Sequence, residues 1–364
     1  MKTSADISDQ IAQHVEAFRR ASGEIFVALV VNIKQERTSN NCSEQDFMET
    51  EYFSDDEAAQ LLMGINETGA YCKIYFGELD FINSYLSGKF DSAPRQKKVV
   101  WNLSQTGTGV GRKSLIPAFC RLTGIPFINS DAYVVSLARH KYHIHLILKA
   151  LGVPTPTTYL YIHESGWHLG EVPNNGDRVI AKACHESASI GLSKTCVGRF
   201  SPQVQVSIAD LSKRLAQPVI VQEFIAGYEL ETPIIELTPA RPTPLGPVAI
   251  SIDGTSEIGD GILDYDRVLN DDFGFARPHN LPADKLSRIR HNAGTIFQTL
   301  GIRGIGRVDV RVSASGEPYV TDVSTSPHLV THSSFFFTFA QMGLSHSDLL
   351  ATVLAIAARK EGWI

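Results

Sequence analysis

GRVDVRV (residues 306–312) and GEPYVTDVSTSPHLVTHSS (residues 316–334) are two strand-like runs separated by a short polar turn. Alternation places Val308, Val310 and Val312 on one face of the first run and Arg307, Asp309 and Arg311 on the other. The second run alternates too, with Asp322 and Ser324 sharing a face. A four-residue loop from Ala314 to Glu317 would set Asp309 directly opposite Asp322. Facing carboxylates repel by a few tenths to about 1 kcal/mol. Either the hairpin is exposed and each acid is solvated separately, or something positive sits between them.

Composition bounds the rest. At 364 residues the chain exceeds one ordinary core and predicts two or three domains. Hydrophobic residues make up 43% and charged residues 20%, a globular balance. The net charge of −6 argues against nonspecific nucleic-acid binding, so any anionic ligand must be held by a few local cations. Cys42, Cys72, Cys120, Cys184 and Cys196 form an odd set without a CxxC pair, which argues against a disulfide framework or a zinc knuckle. MKTSADISDQ has no apolar signal core, and runs such as FVALVV fall far short of the roughly 20 residues that span a bilayer. The expectation is a cytoplasmic protein with neither membrane nor nucleic-acid partners.

Ile7, Ile11, Val15 and Phe18 keep helical spacing, and EIFVALVV reads as a buried strand after them. Ser54 and Glu57 form a capping-box pattern ahead of a helix that turns Leu61, Leu62 and Ile65 inward. YCKIYF, VVWNL and PFIN read as further strands, with a helix capped by Ser114 between the last two. This alternation predicts a parallel α/β domain over residues 1–131. A second α/β unit spans 132–218. A third, over 219–364, holds the hairpin and a closing helix capped by Ser345 and Asp348.

Three further stretches carry chemistry. GTGVGR (residues 107–112) lacks the third glycine of a dinucleotide fingerprint at its proper spacing. It reads either as a tight strand-to-helix turn or as amides that, with Arg112 and Lys113, face an anion. Lys182 ends the apolar strand RVIAK beside a Ser-rich loop, and Lys141 lies on a helix. Either lysine could neutralise phosphate or simply reach solvent. QEFIAGYELE could offer a backbone hinge to a flat heterocycle, or form an acidic strand edge.

In this order the pieces resemble the D-alanine–D-alanine ligase branch of the ATP-grasp enzymes, from about Val99 to Ile364. ARHKYHIHLILKALGVPTP is similar to the family's lysine-bearing helix and GxxTP step, which puts Lys141 at the first nucleotide-binding lysine. KACHESASIG is similar to KPxxEGSSxG, which makes Lys182 the second lysine and puts Glu186, Ser187 and Ser189 in the phosphate-covering loop. QEFIAGYE resembles the adenine hinge, with Gln222, Glu223, Phe224 and Ile225 at the base and Glu229 at the ribose. GIGRVDV … VTDVSTSPHLVTHS resembles GxGRxD … LLExNTxPGMTxHS, the most specific match.

The resemblance implies an ATP-grasp fold, of class α/β, with an N-terminal Rossmann-like domain. It implies ATP and Mg²⁺ (or Mn²⁺) as cofactors, with Asp309, Asp322 and Ser324 as metal ligands and Arg307 and Ser189 as catalytic residues. Ser333 and Ser334 fall where the family binds its second substrate's carboxylate. The implied reaction joins a carboxylate to an amine through an acyl phosphate, with small-molecule, amino-acid-like partners and room for a homodimer. A non-catalytic nucleotide-binding homologue, or a ligase using a hydroxy acid or another amine, are the alternatives.

The chain departs from the pattern in telling places. Asp322 and Ser324 stand for glutamate and asparagine, Gln222 for an acid, and His328 for the turn glycine. The family's GGxSxEHxVS element has no counterpart in VVNIKQERTSNNCSEQ. Arg112 and Lys113 follow the replacement loop, LSQTGTGVGRKS, and read either as surface cations or as a subsite for a first substrate that carries extra negative charge or lacks a free ammonium.

Overall fold

The computed structural model describes residues 4–34, 51–107, 109–187 and 196–364. Helix α1 (Ser4–Ala21) buries Ile7, Ile11, Val15 and Phe18, the spaced apolar set. Strand β1 (Ile25–Val31) follows and is buried throughout, as a central strand of seven apolar residues must be. It lies between β2 (Tyr71–Phe76) and β3 (Lys97–Asn102), parallel to both. Helix α2 (Asp55–Glu67) opens with the capping box of Ser54 and Glu57, and α3 (Glu78–Leu86) follows β2.

Two local expectations fail. PFIN forms no strand, only an isolated parallel bridge between Val100 and Phe127. Pro126 has no N–H to extend a ladder, and Asn129 turns left-handed at φ 70°. Ser114 does not cap helix α4 (Leu115–Thr123) either. It ends a 3₁₀ turn, and its hydroxyl donates backwards to the Gly111 carbonyl at 2.6 Å.

Helices α5 (Ala132–Arg139) and α6 (Lys141–Ala150) meet at His140. An antiparallel sheet follows, comprising β4 (Thr158–Ile162), β5 (Gly166–Trp167), β6 (Arg178–Ala183), β7 (Val197–Arg199) and β8 (Val219–Glu223) in the order β5-β4-β8-β6-β7. Helix α7 (Pro202–Arg214) packs on it through Ile208 and Leu211. Because β8 pairs within this sheet, the chain leaves it across Phe224 to Ala226, a few residues beyond the expected boundary at 218.

The last sheet contains β9 (Gly227–Thr238), β10 (Arg241–Pro244), β11 (Val248–Ser251), β12 (Gly274–Ala276), β13 (Ile305–Ser313) and β14 (Pro318–Ser324). Its order is β12-β11-β9-β13-β14, with β10 on β9. Asp309 does face Asp322, but the loop is not the cause. At the hairpin end Val312 faces Pro318 and Val310 faces Val320, so an unbroken ladder would set Asp309 opposite Thr321. A bulge at Thr321 moves Asp322 into place.

Helices α8 (Tyr265–Leu269) and α9 (Ala283–Thr299) precede β13, and α10 (Ser334–Gln341) and α11 (His346–Lys360) follow β14. The predicted Ser345–Asp348 capping box opens α11. Leu350 and Val353 of α11 share one buried cluster with Phe18 and Trp101, so the C-terminal helix closes onto the first sheet. No helix among the described residues is long and apolar enough to cross a membrane.

Gly227 is the joint between the second and third sheets. It holds φ 138°, and a Cβ there would lie 2.0 Å from the Val312 carbonyl oxygen. The contact is with backbone, so nothing flexible can yield. Gly227→Ala is expected to lower stability by about 2–4 kcal/mol in denaturant unfolding, whereas Gly316→Ala, which meets no neighbour within 4 Å, should cost less.

Candidate active site

The sheets surround a cavity of about 380 Å³. Strand β6 delivers Lys182 to it, the first residue of α6 delivers Lys141, the end of β8 delivers Gln222 and Glu223, and the crossing after it delivers Phe224 and Ile225. Glu229 enters from β9, Arg307 and Asp309 from β13, and Asp322 and Ser324 from β14. Ser333 and Ser334 reach it at the start of α10, and Lys113, Glu186 and Ser187 line the opposite wall. Arg112 is set behind that wall, and Ser189 lies outside the described residues.

The facing carboxylates each have a cation. Arg307 clasps Asp309 with two hydrogen bonds, Nε to Oδ1 at 2.7 Å and Nη2 to Oδ2 at 2.8 Å, and its third nitrogen reaches Glu231 at 2.9 Å. Lys141 pairs with Asp322. Burial works against the charge of Arg307, but Asp309 and Glu231 outweigh it and hold the guanidinium protonated. Burial alone would raise Asp322, yet Lys141, with Lys182 behind it, keeps that carboxyl below the usual range. Burial raises Asp309 in spite of Arg307, and raises Glu231 to about 7. Lys182 is lowered by burial and by the neighbouring Lys141, which makes it a cation in want of an anion.

The hinge is partly engaged. Gln222 is buried, and its Nε2 donates to Thr158 Oγ1 at 3.0 Å while its Oε1 has no partner. A buried amide oxygen left unpaired costs free energy until a donor arrives. Glu223 accepts from Thr157, and Glu229 accepts from Arg311 at 3.1 Å. Arg311 and Arg178 lie on the Phe224 ring at 4.9 and 4.6 Å.

The wall formed by Glu51, Lys113 and Glu186 is an ion cluster. Arg112 bonds Glu186 at 2.7 Å and lies 3.3 Å from Glu51; Arg139 and Lys113 lie 3.1 and 3.5 Å from Glu51. All but Lys113 are nearly inaccessible to solvent. Arg112 is therefore committed to two carboxylates, and neither it nor Lys113 is a plain surface cation. Burial lowers Lys113 to about 8, while Glu51 restrains the fall. Glu186 is held by Arg112 and by Gln217. Ser187 Oγ accepts from Arg139 at 2.7 Å. Ser333 caps α10, accepting from the Phe336 N–H, and Ser334 bonds Glu231.

Four contributors went unassigned from the sequence: Glu51, Arg139, Glu231 and Arg311. Glu231 shares the alternation of Glu229, and Arg311 that of Arg307 and Asp309, so both were discoverable by face. Glu51 and Arg139 carry no such pattern. His328, at the divergent turn position, stacks on Phe53 with ring centroids 4.8 Å apart, and burial lowers it to about 4.

Residues 147–355 match the family model described as the D-ala D-ala ligase C-terminus. The chain is 28% identical to a D-alanine–D-alanine ligase of Delftia acidovorans over 251 residues, covering 68% of this chain and 73% of that protein. It is 29% identical to the enzyme of Nitrosospira multiformis over 248 residues, covering 68% and 76% respectively. The solved D-alanine–D-alanine ligase of Bacillus anthracis complexed with ATP superposes with a TM-score of 0.68 over 93% of this chain and 98% of that one, at 14% identity. That likeness establishes the fold as ATP-grasp.

Glu231 has a consequence for pH. Its folded value of about 7 exceeds an unfolded value of about 4.3, so the native state binds the extra proton between those limits. That contribution to stability is present below the unfolded value and diminishes as pH rises through 7. Glu231→Gln, which keeps the shape, is expected to flatten the stability profile between pH 5 and 7 and to be no less stable than the parent at pH 8. Thermal unfolding across that range measures it.

Proposed function

The chain belongs to the family of the D-ala D-ala ligase C-terminus and is an ATP-dependent ligase that forms a carbon–nitrogen bond; we propose that Lys141 and Lys182 hold the ATP phosphates in the cavity and that the turn from Gln222 to Ile225 holds the adenine. The observation that carries this reading is the convergence of two lysines and two facing aspartates on one cavity from four separate elements. The unpartnered Oε1 of Gln222 suits the adenine amino group, and Glu229 suits ribose hydroxyls.

Asp309 and Asp322, with Ser324, fit a hard divalent cation, because all three offer oxygen and the lysines keep Asp322 ionised. Magnesium bound there supplies positive charge to the phosphate oxygens. Lys141 then exchanges Asp322 for phosphate, so that one carboxylate serves both states of the site. Attack of a substrate carboxylate on the γ-phosphate is anion on anion, and the two lysines reduce that repulsion while aligning the reactants. Arg307 stays charged beside Asp309 and stabilises the oxyanion formed when the amine attacks. Such a donor is worth about 3–4 kcal/mol.

The substrates are small molecules of the amino-acid class, and the wall holding Glu51 suggests which ones. Glu51 and Glu186 contribute −2 there, and Arg112, Arg139 and Lys113 contribute +3, which leaves +1. Glu51 is outnumbered by its own cations, so it offers little to a substrate ammonium. A first substrate bearing extra negative charge, or lacking a free ammonium, suits that wall better than D-alanine. Ser333 and Ser334 suit the carboxylate of the second.

Phosphate release with magnesium-ATP across paired D- and L-amino acids tests the reading. Pairs with an acidic or N-blocked first partner should exceed D-alanine with itself. Efficient D-alanyl-D-alanine synthesis would overturn the substrate argument, and silence across every pair would count against the ligase residues named here. Lys182→Ala is expected to weaken ATP binding roughly 10- to 100-fold by calorimetry, because an uncompensated phosphate charge costs about 1.4–3 kcal/mol. Asp309→Asn is expected to abolish turnover while leaving nucleotide binding measurable. An unchanged magnesium titration in that variant would refute the metal assignment.

A further inference from the structure

Behind the two lysines that line the cavity lies a second constellation. His140 joins α5 to α6 immediately before Lys141, and Cys184 and His185 follow β6 two and three residues after Lys182. One ligand-capable atom from each of these three lies within 4.8 Å of the others. The sequence alone conceals the group, because 44 residues separate His140 from Cys184.

The spacing within the group is informative. Cys184 Sγ is 3.5 Å from His140 Nδ1. In a tetrahedral zinc site, Zn–S near 2.3 Å and Zn–N near 2.0–2.1 Å imply an N···S separation of about 3.6 Å. The pair thus stands at chelating distance, and a metal taken up through His140 Nδ1 would replace the long 3.3 Å hydrogen bond which that atom accepts from the His143 N–H as the cap of α6. A thiol–imidazole hydrogen bond would account for these two residues and leave the third unexplained. His185 Nε2 is buried with no hydrogen-bond partner. Its backbone N–H is fixed to Gln217 Oε1 at 2.9 Å, which holds the main chain of this residue in place beside Cys184. His143 stacks on His140 at 3.6 Å with planes 7° apart and fixes the orientation of that imidazole.

We propose that His140, Cys184 and His185 form a binding site for Zn²⁺, distinct from the oxygen-ligand pair of Asp309 and Asp322. Two imidazoles and a thiolate are borderline-to-soft donors in a set that magnesium disfavours and zinc favours. Three protein ligands leave the fourth tetrahedral position to water. Binding deprotonates the Cys184 thiol, and the proton passes to solvent as the Zn–S bond forms. The ion ties the start of α6 to the end of β6, the two segments that present Lys141 and Lys182. The site does not depend on the ligase assignment, since none of its residues is asked to touch nucleotide or substrate.

Cobalt(II) replaces zinc in a visible form. Titrating the full-length, reduced, tag-free protein with Co²⁺ should produce a thiolate-to-cobalt charge-transfer band and intense tetrahedral d–d bands that saturate at one equivalent. Zn²⁺ should bleach them. Cys184→Ser should abolish the charge-transfer band, and His185→Gln should weaken Co²⁺ and Zn²⁺ binding at least about tenfold. Circular dichroism confirms that each variant is folded. If burial makes the Cys184 variant unstable, the half-buried His185 variant decides alone. Absence of the thiolate band in the parent protein, its persistence in Cys184→Ser, or unchanged affinity in His185→Gln would overturn the proposal.

Discussion

Two aspartates facing each other across an antiparallel pair set the terms for the rest of the site. Asp309 and Asp322 are brought into register by a single bulge at Thr321, and each is compensated by a cation from a different distance in the chain. Arg307 is two residues from Asp309 on the same strand, whereas Lys141 arrives from a helix 181 residues before Asp322. Partial burial favours this compensation, because a desolvated carboxylate without a partner is disposed to take up a proton instead. The local cation stays with its acid. The distant one is held to its acid by tertiary structure alone.

The same logic extends to the opposite wall. Glu51 and Glu186 come from separate parts of the chain and share Arg112 between them, with Arg139 and Lys113 completing the cluster. Residue 186 follows strand β6, which carries Lys182, so the cluster ties the first domain to the second sheet. Pairs this buried contribute little net stability over an apolar replacement, but removal of one member is severe because a buried charge is left behind. Their value lies in holding one arrangement of the wall. The C-terminal helix reinforces it by closing Leu350 and Val353 onto Phe18 and Trp101.

Local signals were reliable where they were self-contained. The capping boxes at Ser54 and Ser345 formed because all their atoms lie within four residues of one another. The buried β1 followed from an uninterrupted apolar run. PFIN and the Ser114 cap misled for an equally local reason. Proline supplies no ladder donor, and a serine hydroxyl can turn backwards to a 3₁₀ carbonyl as readily as forwards to a helix.

By itself the sequence determined the family, the fold and the face-sharing of Arg307 with Asp309 and of Asp322 with Ser324, because alternation and motif order are properties of the chain. For Lys141 and Lys182 the residue pattern left phosphate and solvent both open. Tertiary structure decided what those residues meet. The commitment of Arg112 to Glu51 and Glu186, the pairing of Lys141 with Asp322, and the meeting of His140 with Cys184 and His185 all depend on segments far apart in the chain. No pattern of spacing encodes such contacts, since electrostatic and packing energies act through space and not along the backbone.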